Sequence, residues 1–452
     1  MERDNFIKEI DKIHFIGVGG IGVSALAEYM LSLKKTVSGS DENKTNLTER
    51  LKDLGAKIYY AHKKDNVNGA NYVCYTSAIN EANEELLQAK KSGKRLLTRA
   101  QLLGKIVGEH TRSIGVSGSH GKTTTTAMIT EILTNAQLFP TAFIGGLYKG
   151  KNLVVGKKDY CVFEACEYRN NFLQTKPSVA VVLNIDNDHM DSFKTESNLL
   201  FAFNSFIKNS LAVINADDER CSKLSCEKII TFGINKPADY TAKKLSKKGE
   251  RYTFSVYKQD VLLGKISLSV KGKHNVYNAL ASVVVADFLG VSFSVIKSAL
   301  KNFNSVERRN EYLGKFFSCD FFADYAHHPS EIKQTLKIFS KNRTVVFQPH
   351  TFSRTKNLLS DFIRVLKDEK NLIIYKTYPA REKYDRYSNG KSLSKKLNDN
   401  GCSCEYISGK DKLKERLLKE KDKNKTVVFL GAGDIYEIAK NIKNKASRYL
   451  NK

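Results

Sequence analysis

No tryptophan occurs in the 452 residues, and there are only six prolines. The aromatics are Phe and Tyr alone, and no RNA-binding signature segment lies among them. With so little proline and no low-complexity stretch, flexible linkers are excluded, so the domains are expected to join through short, ordered connections. No apolar run approaches the ~20 residues that a membrane span needs. The first residues, Met1-Glu2-Arg3-Asp4-Asn5, carry charge where a secretory signal places an apolar stretch, so a cytoplasmic protein is expected. None of the eight cysteines forms a Cys-x-x-Cys pair or has a His at zinc-finger spacing. They read as reduced thiols, several of them inside apolar strands such as Tyr160-Cys161-Val162-Phe163.

Acidic residues are also in short supply, 48 against 74 Lys and Arg, which leaves a net charge of +26. That balance raises the question of a nucleic-acid partner. However, 57 of the 74 are Lys, spread along the whole chain with no basic arm, so no nucleic acid is expected and the anionic partner in view is a nucleotide. A basic P-loop protein that binds nucleic acid is the rival from another class, and it would show steeply salt-dependent binding.

At this length the chain exceeds one hydrophobic core, and three segments each open with a strand running into a glycine loop. The first is Lys12–Ile16 followed by Gly17-Val18-Gly19-Gly20-Ile21-Gly22, then helical spacing to Leu33 and a strand Lys35–Ser40 ending at Asp41. This is a βαβ unit with the form of a dinucleotide fingerprint, and Asp41 lies near the distance at which an acid holds a ribose. By itself it suggests a nicotinamide dehydrogenase or an unliganded tight turn.

The second segment runs from Thr111–Val116 into Ser117-Gly118-Ser119-His120-Gly121-Lys122-Thr123-Thr124. A glycine loop between strand and helix turns backbone N–H groups toward a polyphosphate at the positive helix end. Lys122 is then expected on the outer phosphates and Thr123 on Mg²⁺. The spacing is short, with two residues between Gly118 and Gly121 where the common loop has four. Strands are predicted at 160–165, 179–185, 211–215 and 228–232, with antiparallel hairpins over 239–270 and a helix from Asn275 to Leu289. Glu164 and Glu167 follow the first of these strands, where an acid beside a phosphate loop is a natural Mg²⁺ ligand. Asn184-Ile185-Asp186-Asn187-Asp188-His189-Met190-Asp191 follows the second, dense enough in Asp and His for metal or catalytic work, although His189 alone also suits a turn. The third segment has strands at 320–325, 344–348, 371–375 and 426–430. Asp324-Tyr325-Ala326-His327-His328-Pro329 and Gln348–Thr355 are expected to open onto one edge of its sheet. Arg308 and Arg309 read either as a solvated linker or as a phosphate clamp.

Taken together, Gly17–Gly22, Ser117–Thr124, Asn184–Asp191, Lys273-His-Asn-Val-Tyr-Asn278, Asp324–Pro329, Phe347-Gln-Pro-His350 and Gly431-Ala-Gly-Asp-Ile435 occur in order over nearly the whole chain. The set resembles the Mur ligases of bacterial peptidoglycan synthesis, whose phosphate loop has this short spacing. The resemblance implies an α/β protein of three domains: a Rossmann-like N-terminal domain over 1–108, a P-loop ATPase domain with a small antiparallel sheet over 109–305, and a Rossmann-like C-terminal domain over 306–452. It further implies ATP and Mg²⁺, and the Asp324–Pro329 and Phe347–His350 segments point to the member joining L-alanine to UDP-N-acetylmuramate through an acyl phosphate. A tripeptide-recycling ligase acting on the same sugar nucleotide is the rival within the family.

By this resemblance Gly17, Gly19, Gly20, Gly22, Ser40 and Asp41 hold the uridine diphosphate. Gly118, Ser119, His120, Gly121, Lys122, Thr123 and Thr124 cradle ATP, with Asn275 and Asn278 on adenine and Arg309 and Asp324 engaging the nucleotide from the third domain. Thr123, Glu164 and His189 fall on metal positions, while His350 and Arg354 fall near the incoming amino acid. Lys122, His189 and Asp324 are expected closest to the chemistry. Two departures stand out. Cys166-Glu167-Tyr168-Arg169 replaces an acid-rich Asp-Glu-Ser-Asp run, and Thr351 replaces an Arg found in some relatives.

Overall fold

The computed structural model describes residues 6–76, 79–186, 193–249, 251–316, 319–380, 382–420 and 426–447. The chain divides into two compact units, Met1–Asn304 and Ser305–Lys452. No helix among the described residues is long and apolar enough to cross a membrane.

In the first unit, five described strands form a parallel sheet: β1 Lys12–Ile16, β2 Thr36–Ser40, β3 Lys57–Tyr59, β4 Tyr72–Tyr75 and β5 Arg95–Thr98, in the order 3-2-1-4-5. Ile16 stands opposite both Ser40 and Tyr75, so the loops after β1, β2 and β4 leave the sheet at one edge. The helix Ile21–Ser32 covers this sheet with Val23, Ala25, Leu26, Ala27, Tyr29 and Met30 buried, as the apolar spacing predicts.

The second sheet of this unit has ten described strands. They are β6 Arg112–Ser117, β7 Pro140–Tyr148, β8 Lys151–Val154, β9 Lys157–Glu164, β10 Val179–Val182, β11 Leu211–Asn215, β12 Lys228–Gly233, β13 Tyr240–Lys248, β14 Arg251–Lys258 and β15 Val261–Lys271, ordered 15-14-13-12-11-10-6-9-7-8. The predicted hairpins, β13 to β15, are hydrogen-bonded onto β12 through Phe232–Tyr240 and Gly233–Thr241, so they extend the parallel sheet. The strand expected over 179–185 stops at Val182 because the backbone beyond it turns to pair with the phosphate loop. Val182 lies opposite Ser117 and Val116 opposite Glu164. This register brings the ends of β10, β6 and β9 together where β6 has neighbours on both sides, the position at which α/β sheets bind ligands.

The second unit carries six described strands: β16 Glu311–Phe316, β17 Cys319–Asp324, β18 Arg343–Phe347, β19 Leu372–Tyr375, β20 Cys404–Ile407 and β21 Thr426–Leu430, in the order 16-17-21-18-19-20. Only β16 is antiparallel to its neighbour. The last strand in sequence sits in the centre. Its residues feed two cores, Val427 and Phe429 on one face and Val428 and Leu430 on the other, which explains an unbroken apolar run. Asp324 and Phe347 are both level with Leu430, so the loops after β17, β18 and β21 share an edge.

Candidate active site

At the edge of the first sheet, the Gly17 and Val18 amides donate to the Ser40 carbonyl at 2.8 and 2.9 Å. The Gly19 amide donates to Asp41 Oδ2 at 3.0 Å, and the other carboxylate oxygen accepts from the Asn43 amide. The predicted sugar-nucleotide residues are therefore brought together, but through different atoms. Asp41 is buried and holds the loop, while Ser40 presents its carbonyl to the loop and turns its hydroxyl inward. That hydroxyl donates to Glu85 Oε2 at 2.5 Å. Glu85 is fully buried and also bonds His62 Nδ1 (2.9 Å) and Asn66 Nδ2 (2.5 Å), with His14 Nε2 at 3.7 Å. Burial pushes the Glu85 carboxyl up, but the nearby His14 imidazole and bonds from Ser40, His62 and Asn66 outweigh it and bring the group down to about 2. Sequence reading missed this cluster. Glu85 follows the N-cap Asn83 and looks like an ordinary first-turn acid of the helix Glu84–Lys91.

The phosphate loop is held by a residue that sequence reading quoted but gave no role. Asn184 accepts from the His120 amide through Oδ1 (2.8 Å), donates to the His120 carbonyl through Nδ2 (3.0 Å), and takes the Ser119 amide on its own carbonyl (3.1 Å). Ser119 Oγ in turn accepts from the Asp186 amide at 2.8 Å. Gly121 opens the helix Lys122–Asn135 at φ +89°, and a Cβ there would lie 2.5 Å from Asn278 Oδ1, so loop and Asn278 require glycine. Asn278 donates to Asn275 (2.9 Å), which donates to the Lys271 carbonyl (2.6 Å), so Asn278 stands against the loop with Asn275 behind it. Burial draws the neighbouring His274 down to about 4, with His120 adding to the shift, so its imidazole is neutral. We expect Asn184→Ala to weaken binding of a non-hydrolysable ATP analogue roughly tenfold, since two backbone partners lose their bonds at about 1–3 kcal/mol. Calorimetric titration checks this, with Asn184→Asp, which keeps only the acceptor, falling between.

Lys122 and Thr123 begin the helix, and each meets one carboxylate from the end of β9. Thr123 Oγ1 donates to Glu164 Oε2 at 2.7 Å, and Lys122 Nζ lies 3.1 Å from Glu167 Oε1. Gly145 of β7 lies directly beneath the Glu164 carboxylate, and a side chain there would occupy its place. Burial pulls Lys122 down, but the Glu167 and Glu164 carboxylates more than offset it and hold the ammonium above its ordinary value. A hydroxyl and a carboxylate side by side at a helix start form a hard-oxygen donor set that fits Mg²⁺ completed by phosphate oxygens and water. His189, the other expected metal residue, lies outside the described residues, as do Asn187, Asp188 and Asp191. Thr124 is on the same first turn, and the Gly118 carbonyl points to Lys122.

In the second unit, Asp324 is buried with both oxygens engaged: Oδ2 takes the Asn310 amide (2.8 Å), and Oδ1 takes the Ala326 amide (2.8 Å) and Thr335 Oγ1 (3.2 Å). Burial raises its carboxyl, with Arg309 opposing. The Arg308 guanidinium lies 4.9 and 5.2 Å from the Tyr325 and Tyr436 ring centroids and donates to the Gly433 carbonyl (2.7 Å), tying loops together, and Arg309 also lies over Tyr325, at 5.2 Å. His350 and Arg354 meet, with Arg354 Nη1 3.1 Å from His350 Nδ1. His350 stacks on Tyr378 and meets His327 edge-on, each pair 5.6 Å between centroids. Burial, with His327 and Arg354, draws His350 down to about 4, so both stacking and polar contact are made by a neutral ring.

The chain matches the Mur ligase family catalytic domain over residues 12–111, the Mur ligase middle domain over 116–286 and the Mur ligase glutamate ligase domain over 308–433. The UDP-N-acetylmuramate–L-alanine ligase of Aquifex aeolicus is 41% identical over 442 residues, 95% of this chain and 96% of that protein. The chain belongs to the Mur ligase family. This Mur ligase is also 41% identical, over 94% of each chain, to the UDP-N-acetylmuramate–L-alanine ligase of Acetivibrio thermocellus. Its fold matches the crystal structure of the UDP-N-acetylmuramate–alanine ligase of Thermotoga maritima with a TM-score of 0.83 and 29% identity, covering 97% of this chain and 99% of that one.

Proposed function

We propose that this Mur ligase uses ATP to join L-alanine to the lactoyl carboxylate of UDP-N-acetylmuramate. The observation that carries the proposal is the convergence of Lys122, Thr123 and Glu164 at the helix start after β6. It is supported by the alanine-adding relatives, which align over nearly the whole chain. The assignment of 1–108 to the sugar nucleotide, 109–305 to ATP and 306–452 to the amino acid is part of the same proposal.

A carboxylate is a poor electrophile, so the lactoyl oxygen first attacks the γ-phosphorus of ATP and ADP leaves. The alanine amine then attacks the carbonyl carbon of the acyl phosphate, and the tetrahedral adduct expels phosphate. Backbone amides of 118–121 and the Lys122 ammonium hold the phosphates at the helix end. Mg²⁺, which Thr123 and Glu164 and by resemblance His189 would hold, supplies charge neutralisation on the transferring group. The Gly17–Gly22 loop, set by Ser40 and Asp41, holds the uridine diphosphate. By the resemblance Asn275 and Asn278 are assigned to the adenine, Arg309 and Asp324 to the nucleotide, and His350 with Arg354 to the amino-acid carboxylate. His350 is neutral near pH 7, so the positive charge for that carboxylate comes from Arg354.

The test is phosphate release from ATP by the purified protein with UDP-N-acetylmuramate, with and without L-alanine. Release is expected only when both are present. Release that needs the diaminopimelate-containing tripeptide instead would reassign the protein as a recycling ligase. No release with either amine, together with salt-dependent retention of nucleic acid, would favour the basic binding protein.

A further inference from the structure

The phosphate-loop lysine is already occupied. Its three N–H donors face the Gly118 carbonyl (2.5 Å), the Ser119 carbonyl (3.4 Å) and Glu167 Oε1 (3.1 Å). The Glu167 side chain is 2% exposed and that of Lys122 12% exposed, so solvent screens the pair little. Glu167 is also fixed from behind: its carbonyl takes the Asn170 amide at 2.9 Å, closing the turn that begins the segment Tyr168–Gln174. Adjacent Cys166 is a thiol pushed up by burial, so it adds no charge, and the second acid of this strand end, Glu164, is spent on Thr123. The two carboxylates thus divide the helix start, one on the hydroxyl and one on the ammonium.

We infer that Glu167 is a positioning residue that competes with the nucleotide for Lys122, holding the ammonium inside its own loop until a phosphate oxygen replaces the carboxylate. The inference rests on reading Ser117–Thr124 as the ATP phosphate site. While the pair is closed, the loop offers a phosphate its amides but little net charge. Binding is therefore reduced by the fraction of molecules in which Lys122 is withdrawn. The same contact keeps the ammonium in the loop, so exchange needs a short swing of one side chain and no search by a free lysine.

The sign of one binding constant tests this. Calorimetric titration with ADP and Mg²⁺ is expected to give roughly tenfold tighter binding to Glu167→Gln, in which the shape remains and the competing charge is gone. Glu167→Asp, charged but one methylene shorter, is expected to fall between it and the wild type, and covers the case in which the glutamine variant does not fold. A purely structural role predicts weaker binding in both variants, which would overturn the inference, as would an unchanged constant. A second arm separates competition from plain repulsion of phosphate. In a Lys122→Met background the gain from Glu167→Gln is expected to vanish, whereas a gain of equal size there would mean repulsion alone and overturn the inference. If wild-type protein bound no ADP, the site reading would fall first and this inference with it.

Discussion

Lys122→Ala is expected to lower the rate of alanine-dependent phosphate release about a thousandfold, with a smaller change in the Michaelis constant for UDP-N-acetylmuramate. Charge on the transferring phosphoryl group is spread over its equatorial oxygens, and the Lys122 ammonium stands at the helix start where the proposed site holds that group. A single preorganised donor of this kind is worth roughly 3–4 kcal/mol of barrier. In the proposed assignment the sugar nucleotide is held by the other sheet of the first unit, so its binding is expected to survive. Lys122→Arg is expected to recover little, because a planar fork cannot repeat the contacts an ammonium makes with the Gly118 and Ser119 carbonyls. Initial-rate kinetics decide it, and activity of Lys122→Ala within tenfold of wild type would remove Lys122 from the reaction.

Glu85→Gln is expected to be the most destabilising isosteric change in the first unit. The carboxylate is fully buried and gathers Ser40, His62, Asn66 and His14 beneath the glycine loop. Its descent from 4.5 to about 2 corresponds to roughly 3 kcal/mol of stabilisation in neutral solution. The sign follows from the direction of the shift. Because the folded value is depressed, this contribution is complete above about pH 4.5 and is lost as pH falls from there through about 2. The gap in thermal midpoint between wild type and Glu85→Gln is therefore expected to be roughly 5–10 °C at pH 7 and to shrink across that acidic window. Scanning calorimetry at a series of pH values checks it, and a gap independent of pH would mean that packing, not charge, is what Glu85 supplies. Since Ser40 also carries the Gly17 and Val18 amides on its carbonyl, the same variant is expected to weaken UDP binding.

Much of the candidate site could be read from residue order because it lies on strand ends followed by glycine loops, and such segments carry their chemistry locally. Lys122 and Thr123 follow a strand and a glycine turn, and a helix start is where they must be. The same reasoning placed Asp324 and His350 on one edge. It failed where a partner comes from a distant part of the chain. Asn184 holds His120 across 64 residues, and nothing near Asn184 marks it as the residue that pins the loop. Glu85 is indistinguishable in sequence from a solvated first-turn acid until three other elements close over it. The strand ended at Val182 and not at 185 because the backbone hydrogen bonds of Leu183 and Asn184 go to the phosphate loop.

Composition and order by themselves determined that the chain is an α/β protein of several segments, that each segment opens on a strand and a glycine loop, and which loop carries a lysine and threonine for phosphate. Hydrophobic periodicity and glycine placement are local properties, so they survive without knowledge of the fold. Tertiary structure alone decided which side chains meet. It put β21 at the centre of the last sheet, joined the hairpins to β12, buried Glu85 among two histidines, and gave Lys122 the carboxylate of Glu167 as its partner. These are pairings between residues far apart in sequence. They are set by sheet order and register, and the Glu85 and Lys122 contacts also depend on excluding water from charges that the sequence leaves looking exposed.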